Sequence, residues 1–482
     1  MINLRPVLLV IGTLVATLGC AEMVPAIYDL SLGIDDWQVF AASSLFTVFV
    51  GLAIHIATRG GSANISIRQA FLMTAGAWIV LTAFGAIPFV LSSLHLSYTD
   101  AYFETMSAIT TTGATVISGL DKAPPGLLLW RGELQWLGGL GVIVMAIAVL
   151  PILKVGGMQF FKVEAFDTAE KILPRATQIS KALSTVYVSL TLICAVFFYL
   201  AGMSKFDAAV HAMTTVATGG MSNHDASLGH FDSLPVELIC ILFMVLGSLP
   251  FLLYVRFLQG HPSDLLRDKQ VRGFFVIASG ATFLAWLSQA TGGHEPGLLE
   301  LRDASFSVIS LMTGTGFTTV DYSSWGVFAI TLFFIVTFIG GCSGSTSCGM
   351  KVFRFQIIFI SLRNRARELL YPNGVFLQRY NGRTLSDNAV NSVMGFFFLF
   401  VISFLLISTL LNFLGLDLIT AMSATGTSMA NVGPGLGNLV GPAGNFAPLS
   451  DSVKWILSYA MILGRLEVFT ILVFFLPSFW YA

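Results

Sequence analysis

The chain has 482 residues, of which 55% are hydrophobic and only 11% charged, against roughly 25% charged in a soluble domain. That balance excludes water as the main solvent, and a formal net charge of −1 argues against a nucleic-acid partner. The five cysteines lie in or beside apolar stretches without framework spacing, so they read as small packed residues rather than a disulfide scaffold.

Ten apolar spans are predicted, over 7–26, 37–57, 69–93, 127–152, 181–203, 234–258, 271–291, 324–345, 389–415 and 452–480. Each is long enough, at 1.5 Å per residue, for a hydrocarbon layer about 30 Å thick. The first contains Leu18-Gly19-Cys20-Ala21, which faintly resembles a lipoprotein cleavage site. Thr17 stands where a branched aliphatic residue is wanted, however, and the apolar run continues to Ile27, so the span is read as retained. Alternating spans from a cytoplasmic N-terminus put nineteen of the 25 basic residues inside, among them Lys154, Lys162, Lys171, Arg175, Arg363, Arg365 and Arg367. Lys122, Arg131, Lys205 and Arg302 stay outside, and both termini are predicted to be cytoplasmic.

Four related segments sit between spans three and four, five and six, seven and eight, and nine and ten: residues 100–115, 207–222, 303–318 and 417–434. Each opens on an aspartate, runs through small and apolar residues, and ends at Gly113, Gly219, Gly316 or Gly433, glycines 106, 97 and 117 residues apart. The segments are too short to span and fit re-entrant helices. Asp100, Asp207, Asp303 and Asp417 suit N-caps, and the glycines permit backbone closed to other residues.

One Thr-Thr-Gly is an ordinary loop. Four at matched topology imply a shared cavity, because irregular backbone at membrane depth must be buried in protein or face water. Backbone carbonyls there can replace the hydration shell of a monovalent cation, and each short helix directs its negative C-terminal end to the same place. The expected fold is an all-α integral membrane protein of ten transmembrane helices and four re-entrant pore helices. It forms four helix–pore-loop–helix repeats in pseudo-fourfold arrangement: a two-helix extension (1–62), then repeats over 63–165, 166–262, 263–375 and 376–482.

Span eight runs into small residues from Gly340 to Gly349, a poor stiff helix at about 1 kcal/mol per glycine. The stretch reads either as close helix packing or as a flexible gating loop over 340–350, involving Gly340, Gly341, Gly344, Ser345, Gly349 and Lys351. Arg465 lies mid-span, costing at least ~2.5 kcal/mol unless it meets a partner or water. It is read as a cation near the inner half of the pore, donating to loop carbonyls; Glu467 lies on a different face of that helix.

Other readings compete with a pore. Gly341-Cys342-Ser343-Gly344 matches the short motif of rhomboid proteases, but all seven histidines precede Ser343, leaving no base on a later helix, so the chain is not read as an enzyme. Met350 separates Gly349 from Lys351 and spoils a nucleotide-binding P-loop. A proton- or sodium-coupled symporter is the more serious competitor, although only Glu104, Glu133 and Glu467 approach the required depth.

With these segments, Trp130 to Gly139, Gly340 to Lys351 and Gly464-Arg465-Leu466-Glu467, the sequence resembles the bacterial Trk/Ktr potassium-uptake family, in its TrkH/TrkG/TrkI branch. The resemblance implies potassium uptake across the bacterial inner membrane by a homodimer, each protomer with its own channel-like pore. It implies filter carbonyls from Thr111 and Thr112, Ala217 and Thr218, Gly314 and Thr315, and Asn431 and Val432. Glycine in all four loops goes with potassium, whereas related plant carriers with serine in the first favour sodium. The family also implies a cytosolic TrkA-type ring that binds NAD or ATP/ADP, docked on basic loops such as Arg363 to Arg383; no cofactor is expected in this chain. Ser347-Cys348-Gly349-Met350 departs from the smaller residues usual in relatives.

Overall fold

The computed structural model describes residues 2–60, 66–148, 176–291 and 297–481. Lys154, Lys162, Lys171, Arg175, the end of the fourth predicted span and the boundary between the first two repeats lie outside the described residues.

A helix lies on each of the ten predicted segments. Six are long and apolar enough to cross a membrane: Arg5–Leu32, Trp37–Thr58, Ile67–Leu91, Gln178–Leu200, Lys269–Gln289 and Asp387–Phe413. Leu45, Phe49, Leu200, Val276 and Phe398 on these helices are 63–75% exposed, a surface that suits lipid and not water. Two further segments are bent pairs, Leu234–Ser248 with Phe251–Leu258 at 94° and Asp451–Arg465 with Val468–Phe475 at 114°. Pro250 breaks the first, having no N–H to donate and disfavouring helix in the residue before it. The second turns at Glu467, whose φ is +59°. The last two segments fall short for different reasons: Pro125–Ala148 carries Arg131 and Glu133, and Val327–Phe338 is only 12 residues long. Among the described residues, length and composition thus give six to eight crossings where ten are expected.

The architecture is not wholly helical. Ile339–Gly340 pairs in parallel with Met350–Lys351, and Arg379–Tyr380 pairs antiparallel with Arg383–Thr384.

Small residues set the spacing of the N-terminal helices. A Cβ on Gly19 would lie 2.7 Å from the Val48 nitrogen, and one on Gly12 would lie 2.9 Å from the Gly51 oxygen. Where lipid removes the hydrophobic drive between helices, such close backbone approach supplies the van der Waals contact. The extension is also joined to the rest through Asp29, whose Oδ1 accepts from the Gly126 amide at 2.8 Å. That carboxylate sits at the N-terminus of Pro125–Ala148, where the helix dipole favours negative charge.

Gly51→Leu should wedge Arg5–Leu32 and Trp37–Thr58 apart, costing about 1–3 kcal/mol by overpacking. Thermal unfolding of the purified protein in detergent checks this; an unchanged midpoint would mean that the close approach carries no stability.

Candidate functional site

Four short helices, Tyr98–Ile109, Lys205–Val216, Leu298–Thr313 and Leu418–Ala430, occupy the re-entrant segments. Their starts differ from expectation, since aspartate is the N-cap only in the fourth, where Asp417 Oδ2 accepts from the Thr420 amide at 3.0 Å. In the first two, Ser97 and Ser204 cap instead, taking the amides of Asp100 and Asp207 at 3.1 and 3.0 Å. Each aspartate sits at the third helical position and accepts back from the capping serine hydroxyl. The third helix begins after Gly297, with Glu300 returning to its amide at 3.0 Å, and Asp303 falls in the second turn. A helix starts one capping residue ahead of its acidic first turn, which the sequence reading placed too late.

The turns after these helices repeat one geometry. Thr111, Thr218, Gly314 and Asn431 adopt left-handed backbone at φ +53°, +51°, +76° and +53°. Two residues later, Gly113, Gly220, Gly316 and Gly433 have φ +87°, +71°, +78° and +95°. The residue between them donates its amide to Ser107, Thr214, Ser310 or Thr427 at 2.8, 2.9, 2.9 and 3.0 Å. The second turn therefore runs one residue later than expected. Ala217 still has helical backbone at φ −68°, and Gly220, not Gly219, stands in the place of Gly113. Two adjacent glycines hid this register. A Ser or Thr six residues ahead of the glycine in every segment could have revealed it.

The four turns meet in a cycle. A Cβ on Gly113 would fall within 3.0 Å of the Gly219 carbonyl oxygen, one on Gly220 of Thr315 O, one on Gly316 of Val432 O, and one on Gly433 of Thr112 O. Each glycine makes room for the carbonyl of the next turn, and the fourth returns to the first. All four glycines line one cavity, on the side of the ring predicted to face outward.

Buried polar groups hold the ring. Arg131 Nε pairs with Glu104 Oε1 at 2.8 Å, and Arg131 Nη1 donates to Ser222 O at 2.8 Å. Glu104 also accepts from the Val116 amide at 2.9 Å, so one ion pair secures the chain beyond two turns. Removing either partner would strand a buried charge, at a typical cost of about 3–5 kcal/mol. Gln135 Nε2 donates to Gly219 O at 2.7 Å and its Oε1 accepts from the Met221 amide at 3.1 Å. Asn431 Nδ2 reaches Thr112 Oγ1 at 2.9 Å and Met461 O at 3.0 Å. The roles of Glu104 and of the Asn431 side chain carried no sequence signal beyond their apolar surroundings.

At the outer rim, His224 Nδ1 lies 2.6 Å from Asp121 Oδ1 and its Nε2 lies 3.4 Å from Asp207 Oδ1. Burial pulls its imidazole down, but the hydrogen bonds and charges of Asp207 and Asp121 outweigh that and hold it above the ordinary histidine range. The hydrogen bond from His224 holds the Asp121 carboxyl below its own.

On the opposite side of the ring, residues 340–350 fold beneath it. Thr346 Oγ1 donates to Gly247 O at 2.8 Å, and the Cys342 amide to Ser248 O at 3.0 Å, both at the helix end freed by the Pro250 break. Lys351 Nζ donates to Ser347 O. Cys348 Sγ lies 3.4 Å from Thr111 Oγ1 and also meets Arg465 Nη1. Arg465 is buried and reaches Thr346 O at 3.4 Å; among the described residues its Nε and Nη2 have no partner. Glu467 instead pairs with Arg354 Nη2 at 2.5 Å. Gly340, Gly341, Gly344, Ser345 and Gly349 all lie in this loop, with Lys351 at its end.

The sequence profile of the TrkH family, described as a cation transport protein, matches residues 36–481. The Trk system potassium uptake protein TrkI of Halomonas elongata is 43% identical over 98% of this chain and 96% of its own length. The Trk system potassium uptake protein TrkH of Escherichia coli is 35% identical over 99% of both chains. The crystal structure of the potassium transporter TrkH from Vibrio parahaemolyticus superposes with a TM-score of 0.92 at 35% identity, covering 99% of this chain and 100% of that one. Its fold is that of a helical membrane protein, and by sequence and structure alike the chain belongs to the TrkH family of cation transport proteins.

Proposed function

We propose that the chain is the membrane subunit of a Trk-type system and takes up potassium across the bacterial inner membrane through a carbonyl-lined, channel-like pore. The observation that carries this reading is the closed cycle of four turns, each glycine facing the next turn's carbonyl. Relatives named as potassium uptake proteins over nearly the whole chain supply the ion. The proposed filter comprises Thr111, Thr112 and Gly113; Thr218, Gly219 and Gly220; Gly314, Thr315 and Gly316; and Asn431, Val432 and Gly433. Ten crossings with pseudo-fourfold repeats and both termini cytoplasmic complete the topology. Desolvating potassium takes a ring of oxygens, and four short helices ending at one centre add the negative ends of their dipoles.

In the proposed closed state, the loop 340–350 and Arg465 obstruct the inner exit. A guanidinium with two nitrogens unbonded among the described residues is an uncompensated positive charge beside the ion path, and like charge in low dielectric repels strongly. Opening would move the loop aside and let water or other partners reach Arg465. Coupling to protons or sodium is the weaker reading, because Glu104 and Glu467, two of the acids at depth, are each paired to an arginine. A homodimer and a cytosolic nucleotide-binding ring docked on the basic helix end and loop from Arg363 to Arg383 belong to the same proposal.

Three outcomes test it. In liposomes holding the purified protein and no proton gradient, potassium and rubidium should enter at least about tenfold faster than sodium and lithium, ~1.4 kcal/mol of discrimination. Gly113→Ser and Gly220→Ala should both erode that ratio, and equal entry of all four ions in the native protein would overturn the filter. Arg465→Ala should raise potassium flux several-fold at unchanged selectivity; flux that falls or stays level would remove Arg465 from the gate. Neutralising Arg363, Arg365 and Arg367 together should abolish co-purification with the cytosolic ring, and undiminished binding would move the dock elsewhere.

A further inference from the structure

The outer rim holds a cluster that the proposed uptake does not use. Asp121, His224 and His230 each offer a ligand atom, and the three atoms lie within 4.8 Å of one another. Asp121 Oδ1 is 2.6 Å from His224 Nδ1 and 3.8 Å from His230 Nδ1. The two imidazoles are parallel to within 1°, with ring centroids 3.6 Å apart.

The supporting shell is that of a metal-binding histidine. His224 faces Asp207 Oδ1 with its other nitrogen, at 3.4 Å. Asp207 is itself fixed, accepting from Asn223 Nδ2 at 2.9 Å and the Ser204 hydroxyl at 2.7 Å. A carboxylate behind the imidazole sets the tautomer that aims the ligating nitrogen outward. His230 is 45% exposed, and a turn of its ring off His224 would close the ligand atoms to the separations that metal–nitrogen bonds of about 2.0–2.1 Å require.

We infer that Asp121, His224 and His230 form an external site for a zinc-class divalent ion, which slows cation entry when occupied. Two imidazoles and one carboxylate suit zinc, copper or nickel and disfavour magnesium and calcium, which prefer all-oxygen shells. The remaining positions take water.

The site joins the loops beyond the first and second turns. Asp225 already ties them, its Oδ1 accepting the amides of Gly119 and Leu120 at 3.0 and 3.1 Å. From His224, the path to the ring is short: its amide donates to Ser222 Oγ, and Ser222 O receives Arg131. A bound ion would fix this rim and add two positive charges beside the cavity above the glycines, where a screening length of about 8–10 Å still leaves repulsion of incoming cations.

The inference rests on the uptake reading only for its effect on flux. Calorimetry with zinc chloride on tag-free, detergent-purified full-length protein should give one ion per chain at micromolar concentration, with no heat from magnesium or calcium. His230→Ala and Asp121→Asn should each weaken it at least tenfold. No binding, or binding unchanged in both variants, would overturn the site whatever the protein transports. In liposomes, micromolar zinc should slow rubidium entry at least threefold in the native protein, reversed by chelator, and leave His230→Ala unaffected. Binding without slowing would overturn the effect on entry. Rubidium flux missing from zinc-free native liposomes would count against the uptake reading alone.

Discussion

The constraint on which this fold depends is the closed ring of backbone at its centre, in which four glycines each yield their side-chain space to a neighbouring carbonyl. The ring fixes where the four short helices must end, and those helices are buried on nearly every face along their last turns. It also forces Thr111, Thr218 and Asn431 into left-handed backbone, a conformation costing about 1–3 kcal/mol each for side-chain-bearing residues. That strain is offset locally. The amides after each turn fold back on the short helix, and Asn431 bonds across to Thr112. A turn held this firmly presents its carbonyls without reorganising, which a desolvating site for a small cation requires.

Two of the arginines inside the bundle follow the same logic of fixed partners. Arg131 is paired with Glu104 above the ring. Below it, Arg354 is paired with Glu467 and lies 3.8 Å from the centroid of Phe396. Both pairs span distant parts of the chain, and their buried charge offers more specificity than stability. Arg465 differs, having as near contacts among the described residues a thiol and a distant carbonyl. Its poverty of partners is tied to the chain break at Leu466-Glu467, which turns Glu467 toward Arg354 and away from Arg465. The side chain that does meet Arg465 is Cys348, within the loop 340–350.

Much of this was legible from residue order because lipid imposes harsh rules. Apolar runs located every helix over the ten predicted segments, and the low charge content excluded a soluble fold. The four short segments stood out because each is too short to cross and ends in glycine. What escaped was the register of the second turn, since Gly219 and Gly220 are chemically identical and only the backbone angle separates them. Helix starts escaped for a related reason: serine and aspartate both cap, and Ser97 and Ser204 take the role ahead of the aspartates. The bend at Pro250 was written in the chain, yet read as part of an unbroken span. The Arg131–Glu104 pair bridges 27 residues and two helices, a contact that periodicity cannot express. The rim histidines, scattered over a polar loop, become a cluster only once that loop folds.

The arrangement of acids bears on how an ion would be driven through such a ring. A proton-coupled carrier needs a carboxyl that faces the ion path and changes charge as the ion passes. Of the groups lining the cavities above and below the ring, the carboxyls are Asp225 and Glu467. Asp225 is spent on the amides of Gly119 and Leu120 at the outer mouth, and Glu467 is held by Arg354. Each carboxylate is thus already engaged by fixed donors and does not stand open to a passing ion. Carbonyl oxygens, by contrast, carry no proton and exchange one ion for the next at small cost when several sites lie in line. The electrical gradient across the membrane, worth about 2.3 kcal/mol per charge at 100 mV, would then be enough to draw a monovalent cation inward, leaving to the proposed filter and loop only selection and obstruction.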